Sequence, residues 1–221
     1  MINIETYISA LIVSLQERFG SSLLYVGLQG SYLRGEAHSG SDLDIMVILE
    51  TLTVSDLDTY RNVIESMDHY DRSCGFICSK ADMAAWNPLE ICHLIHGTRD
   101  YFGTLADFVP AYTRQDLRNF VTMSINNLYH ELCHRYIHAT TNRNAAALPG
   151  TYKAVFFILQ GLHYLNTGIF PSTKAELLTL LTGLDRAVLE RSILLSKDES
   201  FDFRDSFQLL LTWCQITLTN L

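Results

Sequence analysis

The chain has 221 residues, 48% of them hydrophobic and 18% charged, which excludes intrinsic disorder and suits one large domain or two small ones. Its formal net charge of −8 argues against long DNA or RNA as a partner and favours a cationic small molecule. No window approaches the ~18 apolar residues of a membrane span, and Glu5, Gln16, Glu17 and Arg18 break any signal-peptide pattern at the start. Cys74, Cys78, Cys92, Cys133 and Cys214 fit no disulfide or zinc spacing, so they read as reduced core thiols of a cytoplasmic protein.

In chain order, Ile4, Tyr7, Ile8, Leu11, Ile12 and Leu15 recur with helical period over 3–19, and Gly20 is a natural stop. The apolar run at 23–30 predicts a buried strand, and 31–41 a loop that opens with a helical turn. A second strand covers 42–49. Ser55 with Asp58 has the spacing of a capping box and opens a helix to about Met67. A third strand covers 73–79. Residues 87–97 fit either a helix begun at Asn87-Pro88 or a strand. After Pro110 the pattern becomes helical. Thr113 and Asp116 cap a long helix to about Ala139, 140–150 reads as a loop, and further helices end at Gly168, at Leu181 and near 196 and 219. The expected fold is α/β (α+β): a small mixed-sheet domain over 1–110 and an all-helical bundle over 111–221.

The chemistry concentrates in residues 30–45. Asp42 and Asp44 are one residue apart on a predicted strand, so both carboxylates face the same way. Like charges that close repel unless a cation lies between them, and Mg²⁺ takes one or two carboxylates plus substrate phosphates. Gly30-Ser31, at the end of the preceding strand, offers a backbone that phosphate can approach closely and a hydroxyl donor. Either element alone is common. Together, between two apolar strands, they lay out metal-assisted transfer at a phosphate chain.

This segment resembles the signature of the polymerase-β nucleotidyltransferase superfamily. A strand near 72–79, the Tyr101-Phe102-Gly103 turn and the helical segment 159–177 are similar to bacterial aminoglycoside (streptomycin/spectinomycin) adenylyltransferases. The resemblance implies transfer of a nucleoside monophosphate, AMP from ATP, to a hydroxyl of a small acceptor. Gly30 and Ser31, with Arg34 and Ser41, would hold the nucleotide, and Asp42 and Asp44 would hold Mg²⁺. Lys153 or Lys174 would reach the phosphates. The family's third carboxylate, a metal ligand or general base on the next strand, has no counterpart in 72–79, where Gly75 stands in its place. Glu90 is the nearest substitute; Asp68 and Asp71 precede the strand. Loss of that acid leaves a second reading, a catalytically weak nucleotide-binding or partner-binding module of the same fold, as in an antitoxin-like pair.

One other motif competes. His130-Glu131-Leu132-Cys133-His134 spells the H-E-x-x-H pattern of zinc metalloproteases, and His138 extends the stripe by four residues. No third ligand is evident downstream, so histidines packed on a bundle helix are the plainer expectation.

Overall fold

The computed structural model describes residues 2–197 and 200–221. Its contacts divide the chain into two units, Met1–Tyr112 and Thr113–Leu221.

The first unit holds helices α1 (Ile4–Phe19), α2 (Gly30–Leu33), α3 (Val54–Ser66), α4 (Lys80–Ala84) and α5 (Pro88–His96). Strands β1 (Leu23–Leu28), β2 (Leu43–Leu49), β3 (Ser73–Ser79) and β4 (Arg99–Phe102) form one mixed sheet in the order β3-β2-β1-β4. Strand β1 runs antiparallel to β2 and β4, and β2 runs parallel to β3. Both faces of the central strands are covered, which explains their continuous apolar runs. On one face Val26, Leu28, Ile45 and Val47 pack against Tyr7, Ile8, Leu11 and Leu15 of α1 and Val63 of α3. On the other, Tyr25, Met46, Ile48 and Cys78 pack against Met83 and Leu105. Asp44 has the parity of Met46 and Ile48, so it belongs to this second face.

Several local readings change. Helix α3 is capped two residues earlier than the Ser55–Asp58 spacing suggests: Asp56 N–H donates to the Thr53 hydroxyl, and Thr53 N–H to the Asp56 carboxylate at 2.8 Å. Both pairs have the right spacing, and only Thr53 has the extended backbone an N-cap needs. Residues 87–97 resolve as helix, with Asn87 as cap and Pro88 in the first turn. Strand β4 was not expected. It is four residues long and is tied in by the Tyr25 hydroxyl, which donates to Asp100 at 2.6 Å.

The second unit is helical: α6 (Arg114–His138), α7 (Thr141–Thr151), α8 (Lys153–Thr167), α9 (Lys174–Leu180), α10 (Gly183–Leu195) and α11 (Phe203–Asn220). The Thr113/Asp116 capping box of α6 is present. Residues 140–150, expected as a loop, are α7. Thr140 caps it, its three alanines are good helix formers, and Pro149 falls near its end, where only the last turn loses a bond. The core gathers Val121, Ile125, Tyr152, Phe156, Leu159, Leu210 and Trp213. Two of its large side chains place their polar atoms in hydrogen bonds: Tyr152 O–H donates to Ser206 O at 2.7 Å, and Trp213 Nε1–H to Asp185 at 2.7 Å. Among the described residues no helix is long and apolar enough to cross a membrane.

Candidate active site

The site begins where β1 ends. Leu28 pairs with Ile45, and Gln29 N–H donates to Asp44 O at 2.8 Å, which extends the ladder by one rung. The chain then turns at Gly30, whose φ is +70°. A Cβ at this position would lie 1.8 Å from Oδ2 of Asp44. Glycine is therefore required twice, by the backbone angle and by the carboxylate that fills the space a side chain would need. Ser31 follows on α2, half-buried, and no hydrogen bond from its hydroxyl is found within the described residues. The first amides of such a turn have no intrahelical acceptor.

The loop from Arg34 to Asp42 is built by its own polar groups. His38 N–H donates to the Ser41 hydroxyl at 2.9 Å, Ser41 N–H to His38 O at 3.0 Å, and Gly40 N–H to His38 Nδ1 at 3.0 Å. Arg72 ties the loop down through Ser41 O, at 3.0 Å, and Ser39 O. Ser41 is buried, so its side chain shapes the loop. Asp42 stands exposed one residue before β2, and Asp44 is half-buried within it.

Burial raises the Asp44 carboxyl above the ordinary carboxylate range. The neighbouring Cys74 thiol works against this, the Asp42 charge adds to it, and the Arg34 charge lowers it. Asp42, Cys74 and Arg34 thus converge on Asp44. Arg34 also pairs with Glu36, Nε to carboxylate at 2.9 Å.

The neighbouring strand revises the question of the third acid. In the parallel register Asp44 sits beside Cys74, and Ile45 beside Gly75. Side chains in register share a face, so the position next to Asp44 is Cys74, one residue before the gap expected at Gly75. Gly75 has φ +113°, and a Cβ there would lie 2.0 Å from Ile45 O, so it tolerates no side chain. Alternation along 72–79 could have shown this, because Cys74 and Phe76 share parity with the core position Cys78.

The remaining expected residues lie as follows. Glu90, on α5, is exposed and accepts from Trp86 Nε1–H at 2.7 Å; Trp86 stacks on Phe76 with ring centroids 5.6 Å apart. The charges that shift Asp44 are Asp42 and Arg34, and Glu90 is not among them. A general base at Glu90 would make Glu90→Gln cost about 10²–10⁴-fold in rate. The Trp86 bond instead leads us to expect a change below about threefold, read as turnover of labelled ATP, because glutamine keeps an acceptor for the indole. Asp68 and Asp71 are exposed. In the helical unit Lys153 is exposed at the start of α8, and Lys174 Nζ lies 5.9 Å from the Phe156 ring centroid.

The histidine stripe is present on α6. His130 and His134 have ring centroids 5.9 Å apart, and His134 and His138 4.7 Å. Glu131 accepts from Arg135 Nε on its own helix at 2.8 Å and from the Thr151 hydroxyl of α7 at 3.2 Å, so the acid a zinc protease would use as base is already engaged. Among the described residues no three His, Cys, Asp or Glu side chains are grouped to hold a metal ion. A carboxylate pair suffices for Mg²⁺, which keeps waters and takes substrate phosphates as its other ligands.

Residues 8–71 match the family described as "Nucleotidyltransferase domain". This stretch of the chain is similar to a nucleotidyltransferase domain. The matched stretch contains Gly30, Ser31, Asp42 and Asp44 and ends before β3. A likeness of fold extends over nearly the whole chain. Spectinomycin adenyltransferase AAD(9) from Enterococcus faecialis, solved with ATP and spectinomycin, superposes with a TM-score of 0.61 at 13% identity, covering 98% of this chain and 100% of that one. A toxin–antitoxin structure with AMP-PNP aligns at a TM-score of 0.34 and 20% identity over 62% of this chain and 94% of that one, too low a score to define a shared fold. No curated protein matches the sequence.

Proposed function

We propose that this chain is a nucleotidyltransferase that moves AMP from ATP to a hydroxyl of a small, aminoglycoside-like acceptor. The observation that carries the reading is the contact of Gly30 with the Asp44 carboxylate, which sets the turn suited to phosphate directly against the carboxylate pair. Asp42 and Asp44 would hold Mg²⁺, and the cation would offset the charge developing on the phosphates. The acceptor oxygen attacks the α-phosphorus, the bond from that phosphorus to the pyrophosphate oxygen breaks in line, and the hydroxyl proton passes to solvent or to a nearby base. Arg34 stands close enough to Asp44 to add positive charge beside the phosphates. The acidic total charge suits a cationic acceptor. All five cysteines are free thiols, in keeping with a cytoplasmic setting. The direct test is transfer of label from [α-³²P]ATP with Mg²⁺ across a panel of aminoglycosides and aminocyclitols; no labelled product with any of them removes this reading.

Ser31 supplies a second check. Its hydroxyl, placed on the turn after Gly30, is proposed to donate to a phosphate oxygen. Ser31→Ala is expected to weaken ATP binding by about 1–2 kcal/mol in calorimetry and to leave the melting temperature unchanged. Equal affinity in the variant rejects the role.

One observation favours the weaker-module alternative. The side chain beside Asp44 on β3 is a thiol, not a carboxylate. Mg²⁺-dependent ATP binding without turnover on any acceptor is the result this alternative predicts.

A further inference from the structure

Resting on the reading of Asp42 and Asp44 as the cation-holding pair, we infer that Cys74 sets how tightly this site holds a divalent cation. The argument begins with the register. Cys74 is the β3 partner of Asp44 and shares its face, whereas the flanking Ser73 and Gly75 have the opposite parity. Gly75 can bear no side chain against Ile45, so β3 offers Asp44 this one neighbour. The thiol is thus the β3 side chain nearest in register to the Asp44 carboxylate.

A neutral thiol is a poor ligand for a hard cation, which takes oxygen donors. It therefore adds no donor to the carboxylate pair. A carboxylate at position 74 would supply an oxygen ligand, and in the absence of cation it adds a third negative charge to a site that already contains two. Position 74 therefore ties cation affinity and cation-free stability together with opposite signs.

The probe is Mn²⁺, followed by electron paramagnetic resonance with a non-hydrolysable ATP analogue present. Cys74→Asp is expected to tighten Mn²⁺ binding by about tenfold or more. Its melting temperature without metal should fall, and Mn²⁺ should restore it. Cys74→Ser, which keeps a small neutral side chain beside Asp44, should stay within about twofold of the parent. A folded Cys74→Asp protein that binds Mn²⁺ like the parent overturns the inference.

The unaltered protein gives an independent measurement, which holds even if Cys74→Asp fails to fold. Cys74 is the exposed cysteine; Cys78, Cys92 and Cys214 are buried and Cys133 is partly so. Iodoacetamide should label Cys74 selectively, and Mn²⁺ with the ATP analogue should slow the reaction. An unchanged labelling rate also overturns the inference. Asp44→Asn separates the two levels. If it abolishes Mn²⁺ binding while Cys74→Asp changes nothing, only the role of Cys74 falls. If it binds Mn²⁺ like the parent, the carboxylate pair is not the cation site and both readings fall.

Discussion

Asp42→Asn and Asp44→Asn are each expected to reduce Mg²⁺-dependent nucleotide transfer by about 10³-fold or more, with the fold intact. A bound cation supplies several kcal/mol of transition-state charge stabilisation, and each 1.4 kcal/mol is about tenfold in rate. The two variants should differ in stability. Burial raises the Asp44 carboxyl, with the Asp42 charge adding to the shift. A carboxyl whose folded value is raised favours the fold when protonated. Its unfavourable contribution appears as pH rises through the ordinary carboxylate range and is fully present above the raised value. Asparagine at 44 keeps the shape and removes that cost, so at neutral pH its melting temperature should equal or exceed that of the parent. At pH 3 to 4 the gap should close. Asp42 is exposed, and its replacement should leave the melting curve unmoved. Full turnover in either variant removes the metal site; a clear loss of stability in Asp44→Asn would show that the carboxylate holds the loop together.

Gly30→Ala is expected to damage stability and activity together. The added methyl would occupy the space of Asp44 Oδ2, 1.8 Å from it, and the residue would keep a φ of +70°. A non-glycine residue held in such a conformation costs about 1–3 kcal/mol. Relief comes from moving the turn or swinging the Asp44 side chain, and either separates the turn from the carboxylate. Misplacement by about 1 Å is enough to cost about 10²-fold in rate. The measurements are thermal melting and turnover of labelled ATP. Gly35→Ala is the control: Gly35 also has a positive φ, +67°, and a methyl there meets nothing within 4 Å. It should share the loss of stability and retain most of the activity. Equal activity of Gly30→Ala and the parent would mean that the contact with Asp44 does not matter for transfer.

Much of the candidate site is legible without coordinates because its components are local. Gly30-Ser31 and Asp42-x-Asp44 lie within fifteen residues, and the apolar runs on either side dictate strands that a short loop must join. Helix α1 and most of the bundle helices follow from apolar periodicity and from caps such as Thr113 with Asp116. The misreadings have local causes as well. Thr53 and Ser55 each precede an aspartate by three residues, and backbone conformation selects Thr53. Residues 140–150 contain a proline and a glycine, which suggest a loop, but both fall near the end of α7, where the helix bears them at small cost.

What the sequence determined by itself is the composition of the site: a permissive turn, a hydroxyl, and two carboxylates at a spacing that strand alternation brings together. What only the tertiary structure decided is which other residues meet them. Strands β2 and β3 are joined through α3, so their register depends on hydrogen bonds between distant segments, and a slip of one residue turns every side chain to the opposite face. That register sets Cys74, and not Gly75, beside Asp44. The same holds for Glu90, whose place on α5 was ambiguous in sequence and whose partner Trp86 emerged once 87–97 folded as a helix. The contact between Gly30 and Asp44 is also decided in three dimensions, because it exists only where β1 and β2 pair.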